Sequence, residues 1–129
     1  MSTVRSRKNK GKKLQNYTRD IILEIFKDKL EPDDVVSCIM GDHGIDVKLS
    51  PTARKIFPYS IECKNREKGN VWDYIEQAEV NAKENTIPMV VFKKNHHEPY
   101  VSFPMEHFVE LIKIVKNIAI GENKWKLAN

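Results

Sequence analysis

The apolar residues of this chain recur with two different periods, and the period indicates which segments are helical. From Leu14 to about Lys29 they return every three or four residues, as on one face of an amphipathic helix. The same spacing predicts a helix from about Asn70 to Glu84 and a last helix that begins near Pro104 and ends before Gly121. The residues expected to be buried are Leu14, Tyr17, Ile21, Ile22, Ile25 and Phe26 on the first helix, Val71, Tyr74 or Ile75, Ala78 and Ala82 on the second, and Met105, Phe108, Val109, Leu111, Ile112 and Val115 on the last.

Shorter apolar or alternating runs predict five strands. These runs cover residues 35–40, 45–49, 59–64, 87–93 and 100–103. Residues 50–56 between the second and third runs predict a short helical turn or a loop. The order α-β-β-β-α-β-β-α predicts an α/β fold, a mixed α+β sandwich in which helices pack on a short central mixed sheet. This order of elements does not by itself distinguish the predicted fold from other α+β folds.

Length and composition favour one small domain inside the cell. The chain has 129 residues and 40% hydrophobic content, and no apolar run approaches the ~18 residues that cross a bilayer. The basic N-terminus lacks the apolar core of a secretion signal, so we expect a cytoplasmic protein without a membrane partner. Cys38 and Cys63 are expected to be buried free thiols, since a reducing compartment disfavours their pairing.

Charge is concentrated at the N-terminus. Residues 1–13 contain six of the 22 basic residues and none of the 18 acidic ones, which leaves 16 bases against 18 acids, a net charge of −2, for the rest. Such a block predicts a flexible arm that binds DNA by neutralising phosphates, so binding should weaken steeply with salt. The alternative is a solvated leader that only aids solubility. The predicted DNA-binding residues are Arg5, Arg7, Lys8, Lys10, Lys12 and Lys13.

Two of the predicted strands bring together residues that can bind a metal ion. Asp46 lies in the run Gly44-Ile45-Asp46-Val47, and Glu62-Cys63-Lys64 follows sixteen residues later. Side chains alternate across a strand, so Glu62 and Lys64 share one face, where Asp46 can join them. Two carboxylates suit a hard cation such as Mg²⁺, with water and substrate phosphate as further ligands. The alternative is a solvated strand face with a cross-strand ion pair.

In these residues the chain resembles the PD-(D/E)XK nuclease superfamily, whose signature is an Asp followed by Glu-x-Lys on the next strand. The block from Met40 to Asn81 looks like phage-encoded resolvase-type members. The resemblance implies a restriction-endonuclease-like core over residues 14–120, with 1–13 as an arm and 121–129 as a tail. It implies a homodimer that hydrolyses DNA phosphodiesters with Mg²⁺ or Mn²⁺ and leaves a 5′-phosphate and a 3′-hydroxyl. No small-molecule cofactor is expected.

The resemblance also implies roles for individual residues. Asp46, Glu62 and the backbone carbonyl of Cys63 would hold the metal, and Lys64 would orient or deprotonate the attacking water. We favour orientation, because neighbouring carboxylates raise the pKa of a lysine. Gln77, on the helix after the Glu-x-Lys strand, is a further catalytic candidate that would support the lysine or the water. Its alternative is an ordinary surface amide.

Other polar residues are weaker candidates. Gln15 falls where archaeal-type Holliday junction resolvases carry a metal-binding acid. Its amide oxygen is a possible metal ligand, directly or through water, but it adds no negative charge for a second ion. Glu24 could supply that charge only if it faced the sheet. The segment 96–98, with the sequence His-His-Glu, is expected to be a hairpin tip rather than a metal site. Asp42 and His43 could support the site but are also typical of a turn.

The predicted function is cleavage of branched DNA such as a Holliday junction. This substrate is favoured over a restriction site because the chain has no room for a sequence-reading domain and its arm suits contacts to the DNA backbone. One alternative is a phage replication or repair nuclease that acts on single strands or ends. The other is a non-catalytic nucleic-acid-binding protein that keeps the nuclease fold.

Overall fold

The computed structural model of the chain describes residues 3–38 and 44–121. These residues form four helices and five strands, with a short 3₁₀ turn at Pro32–Asp34 before the first strand. The helices are α1 (Val4–Ile25), α2 (Pro51–Ile56), α3 (Val71–Asn81) and α4 (Met105–Gly121), and the strands are β1 (Val35–Ser37), β2 (Val47–Leu49), β3 (Tyr59–Asn65), β4 (Ile87–Lys93) and β5 (Tyr100–Ser102). None of the helices in the described part of the chain is long and apolar enough to span a membrane.

The five strands form one mixed sheet in the order β1-β2-β3-β4-β5. Neighbouring strands are antiparallel except for β3 and β4, which run parallel and are joined by α3 as a crossover helix. The predicted mixed α/β core is therefore confirmed. The segment predicted as a helical turn or a loop is α2, where Pro51 occupies the first turn and Ser50 accepts a hydrogen bond from the Ala53 N–H.

Alternation along β3 gives the sheet two different faces. Tyr59, Ile61 and Cys63 point into the larger core, which α1 covers with Leu14 and Ile22. On the opposite face α3 packs Tyr74 and Ala78 against Val90 of β4. Glu62 lies on this second face because it alternates with Ile61 and Cys63, and the two helices thereby enclose β3 between them.

Helix α1 begins ten residues earlier than the sequence predicted. The start expected at Leu14 was wrong, because the basic residues of segment 4–13 are good helix formers and the Thr3 side chain caps the helix by accepting from the Ser6 N–H. The segment predicted as a flexible arm is thus helical from Val4 onward. The division of the chain into arm, nuclease domain and tail stays a prediction.

Several predicted core positions are exposed instead. On α1 the buried face contains the polar residues Gln15 and Thr18 beside Leu14 and Ile22, while Tyr17 and Ile21 lie at its margin and are exposed. The prediction failed because buried polar residues with hydrogen-bond partners do not show in an apolar pattern. The other positions predicted as buried but found exposed are Ile25, Val71, Met105, Phe108, Val109 and Ile112.

Candidate active site

Asp46, the residue directly before β2, and Glu62 of β3 lie at neighbouring positions on one face of the sheet. The Asp46 N–H donates to the carbonyl of Ile61 at 3.0 Å, and Val47 is the register partner of Ile61. The Asp46 Oδ2 accepts from the Cys63 N–H at 2.8 Å. This hydrogen bond fixes the Asp46 carboxylate against the backbone of β3, directly beside Glu62.

Glu62 is the most unusual ionisable residue of the described chain. Its side chain is 1% exposed, although it carries a carboxyl group. The Oε1 accepts from Asn81 Nδ2 at 2.8 Å, whereas the buried Oε2 has no hydrogen-bond partner among the described residues. Burial raises the pKa of Glu62 to about 7; the Asn81 hydrogen bond opposes the increase and the Asp46 carboxylate adds to it.

Lys64 follows on the same face of β3, half-buried, as the alternation predicted. Its Nζ lies 5.9 Å from the ring centroid of Tyr74 on α3, within range of a cation–π contact. The positive charge of Lys64 lowers the pKa of Glu62, but it is the weakest of the influences on that carboxyl group. The lysine therefore leaves most of the negative charge of the two acids uncompensated.

The Cys63 side chain points away from the acids, into the core beneath α1. Its Sγ lies 3.7 Å from the Thr18 Oγ1, and burial raises the pKa of the thiol to about 12. Cys38 is also buried and donates from Sγ to the Ile45 carbonyl at 2.9 Å. Both cysteines are buried as predicted, and Cys63 is a free thiol. A thiol that stays protonated at neutral pH is neither a nucleophile nor a metal ligand, so only the backbone of Cys63 can serve the site.

The donor set fits a divalent cation with a preference for oxygen. The two carboxylates lie side by side, and the Oε2 of Glu62 is buried without a partner among the described residues. Burial of an acid without a compensating charge is costly, so a bound cation would stabilise this arrangement. The described residues contain no group of three or more His, Cys, Asp or Glu that could hold a metal. A site in which two protein carboxylates bind the ion, and water and phosphate fill its other coordination positions, is typical of Mg²⁺ or Mn²⁺ rather than zinc.

The structure separates the remaining site candidates. Gln15 is 2% exposed and accepts from the Ser37 Oγ at 3.0 Å, so its amide is held in the core between α1 and β1. Its metal role stays a prediction. Glu24 faces solvent and pairs with Lys27 at 3.1 Å, so the condition for its metal role, a position facing the sheet, is not met. Gln77 is exposed on α3, one helical turn before Asn81.

Asn81 is the residue that sequence reasoning missed. It belongs to the block that resembles resolvases, yet Gln77 was the expected partner of the site on this helix. Asn81 instead contacts Glu62, and its Nδ2 also lies 3.4 Å from the Gly44 carbonyl. The spacing Tyr74, Ala78, Asn81 follows the buried face of α3, which is the signal that could have identified it.

The basic residues of segment 4–13 are distributed around α1. Arg5, Arg7, Lys8 and Lys13 are exposed. Lys12 is half-buried and donates from Nζ to the Cys38 carbonyl at 3.0 Å, so this amine is partly committed to the protein. The segment 96–98 lies between β4 and β5, which confirms the expected hairpin. Asp42, His43 and the tail after Gly121 lie outside the described residues.

A mixed sheet with Asp46 on one strand and Glu62-Cys63-Lys64 on the next defines a restriction-endonuclease-like nuclease fold. A model of the phage putative PDDEXK endonuclease family matches residues 6–128, and the chain belongs to this family. No curated protein and no solved structure matches the chain. The matched region includes most of α1, the whole sheet and α4, so the similarity to the family extends well beyond the three signature residues.

Proposed function

We propose that this protein is a metal-dependent endonuclease that hydrolyses phosphodiesters in branched DNA, with Holliday junctions as the principal substrate. The observation that carries the proposal is the buried Glu62 carboxylate, which has one oxygen without a partner and lies beside Asp46. Membership of an endonuclease family supports nuclease chemistry. The substrate and the metal dependence go further and rest on the residues of the site.

Asp46, Glu62 and the backbone carbonyl of Cys63 would hold Mg²⁺, or Mn²⁺ in its place. The bound ion would supply Lewis-acid chemistry, polarising a phosphate oxygen and lowering the pKa of water. Asn81 keeps the Glu62 Oε1 occupied, so that Oε2 is directed into the site. Lys64 orients the attacking water and offsets the charge that grows on the phosphate. Gln77, exposed at the rim of α3, is available to support Lys64. The products are a 5′-phosphate and a 3′-hydroxyl.

The preference for branched DNA follows from what the chain can contact. The exposed bases on α1 suit DNA phosphates, which position a protein without reading sequence. The described residues form one sheet with its helices and contain no separate domain for reading bases in a groove. A four-way junction needs two symmetric cuts, so the active form is a homodimer with two sites. The substrate would be met in the cytoplasm of the bacterial host.

The test compares a labelled four-way junction with a linear duplex of the same sequence, each with Mg²⁺ and with EDTA. Wild type should make paired nicks in the junction only when the metal is present. Glu62→Gln should remove cleavage, since the amide keeps the shape of the side chain but loses its charge. Glu76→Gln, an exposed acid on the same α3 helix, is the matched control and should cut normally.

Each other result points to a different function. Metal-dependent cutting of single strands, flaps or ends in preference to the junction would indicate a replication or repair nuclease with the same site. Binding without cleavage under every metal tried, with Asp46→Asn and Glu62→Gln unchanged in binding, would indicate a non-catalytic DNA-binding protein. Junction cleavage that survives Glu62→Gln would refute the assigned site.

A further inference from the structure

Helix α4 exposes a continuous apolar face. Met105, Phe108, Val109 and Ile112 are 71%, 44%, 40% and 36% exposed. At about 100° per residue these four side chains fall within one sector of about 100°. We call this set of four residues the α4 face. A contiguous apolar surface of this kind on a small protein typically marks an interaction site.

The contacts of α4 with the rest of the protein lie on another side of the helix. His107 hydrogen-bonds to the Tyr59 hydroxyl through Nε2 and packs edge-on against the rings of Tyr59 and Phe103. Leu111 and Val115 are half-buried on the same side. A helix of 17 residues has marginal stability in water on its own, so its length is best maintained if the α4 face is also covered.

The charges beside the α4 face are arranged so that a second copy of the same helix complements them. Glu106 lies in the first turn, and Lys113 follows two turns later. At about 100° per residue both residues border the same edge of the face, next to Val109, whereas Lys116 falls within the apolar sector. In an antiparallel pair related by a two-fold axis, Glu106 of one copy meets Lys113 of the other, and the reverse contact follows by symmetry.

We propose that the α4 face is the surface through which two copies of this chain associate, with the two α4 helices antiparallel. The apolar residues supply the centre of the interface, and the Glu106 and Lys113 pairs at its edge set the direction of pairing. The proposal concerns assembly alone and does not depend on the chemistry of the site. It is tested on the full chain without DNA or metal, so its failure and the failure of the nuclease activity are distinguishable.

The first experiment is sedimentation velocity over a concentration series. Wild type should sediment as a species of twice the chain mass of 15.0 kDa. Phe108→Glu should raise the dissociation constant by about 30- to 1000-fold, because it places a charge at the centre of the interface. The matched control is Ile114→Glu, which introduces the same charge at a residue that is 72% exposed but lies about 200° around the helix from Ile112. This control should remain a dimer.

The second experiment leaves every apolar residue in place, so it stands even if Phe108→Glu does not fold. Glu106→Lys and Lys113→Glu should each raise the dissociation constant about 3- to 10-fold, since the dimer contains the pair twice. The double variant should return to within about twofold of wild type. The helix dipole alone predicts a different result, because it penalises Glu106→Lys in the first turn but does not act on Lys113 in the middle of the helix, so the double variant would be no better than Glu106→Lys.

Three results would overturn the proposal. A wild-type monomer at all concentrations would show that the α4 face is covered within one chain, for example by the segment after residue 121. A dimer that Ile114→Glu dissociates and Phe108→Glu does not would place the contact on another side of α4. A double charge reversal weaker than either single variant would exclude the antiparallel arrangement.

Discussion

Replacing Glu62 with glutamine should stabilise the folded protein at alkaline pH and remove its response to a divalent cation. The reason is that burial raises the pKa of this carboxyl group to about 7, from an ordinary value of 4.5. At alkaline pH the folded protein must therefore keep a buried negative charge beside Asp46 with little compensation. Glutamine keeps an oxygen for the Asn81 hydrogen bond and replaces the partnerless oxygen with an amide that can donate.

The sign of the pH dependence follows from proton binding. Below pH 4.5 both the folded and the unfolded chain hold the proton on Glu62. Between 4.5 and about 7 the unfolded chain releases its proton first, so the free energy of unfolding falls as the pH rises through this window. Each tenfold change in proton affinity is worth about 1.4 kcal/mol, so the full difference is about 3 kcal/mol, which screening by water reduces to about 1 to 2 kcal/mol.

The assay is urea denaturation of wild type, Glu62→Gln and the exposed control Glu76→Gln at about pH 5 and about pH 8.5, without metal and with Mg²⁺. The pH-dependent loss of about 1 to 2 kcal/mol should appear in wild type and the control and be absent in Glu62→Gln. All three proteins contain the same histidines, so the comparison removes their contribution. Mg²⁺ should restore the stability of wild type at the higher pH. An unchanged pH dependence in Glu62→Gln would refute the assignment of a raised pKa to this residue.

Three further predictions concern neighbours of this carboxylate and the basic helix. Asp46→Asn should weaken Mg²⁺ binding but spare or strengthen DNA binding in EDTA, because it removes a charge that repels phosphate; weaker DNA binding with an unfolded circular dichroism spectrum would instead mark a structural role. Asn81→Ala should lower Mg²⁺ affinity about 10- to 100-fold in a calorimetric titration, since it frees the Glu62 Oε1 from its donor; unchanged affinity would contradict the support role. Arg5→Gln combined with Lys8→Gln should weaken DNA binding and reduce the salt dependence of log affinity by about two, and an unchanged slope would remove these residues from the DNA interface.

The sequence was sufficient to predict the sheet and the position of the acids on it. Alternation with period two placed Glu62 and Lys64 on one face and Cys63 on the other, because this rule depends only on strand geometry. The burial of Gln15 could not be predicted in the same way, since the energy that permits it comes from a hydrogen bond to Ser37 on a separate element. Local patterns carry no information about such long-range partners.

Packing between elements also decided the outcome on two helices. Asn81 lies on the face of α3 that carries the buried Tyr74 and Ala78, which brings its amide to Glu62, whereas Gln77 is exposed and its support of Lys64 stays a prediction. On α4 the apolar period predicted the helix correctly, but it was read as a face of this protein's own core. Apolar periodicity indicates that one face of a helix is to be buried. It does not indicate whether the protein's own core or another chain buries that face.

The hydrogen bonds that define the candidate site join residues that are near one another along the chain. Asp46 and the Cys63 N–H are 17 residues apart, and Glu62 and Asn81 are 19 apart. Loops of this length have a low entropic cost of closure, so these contacts can form early in folding, before distant elements have docked. The candidate site lies within one contiguous stretch, residues 46–81, so the exposed faces of α1 and α4, which we propose contact DNA and a second copy, can change in sequence while that stretch stays intact.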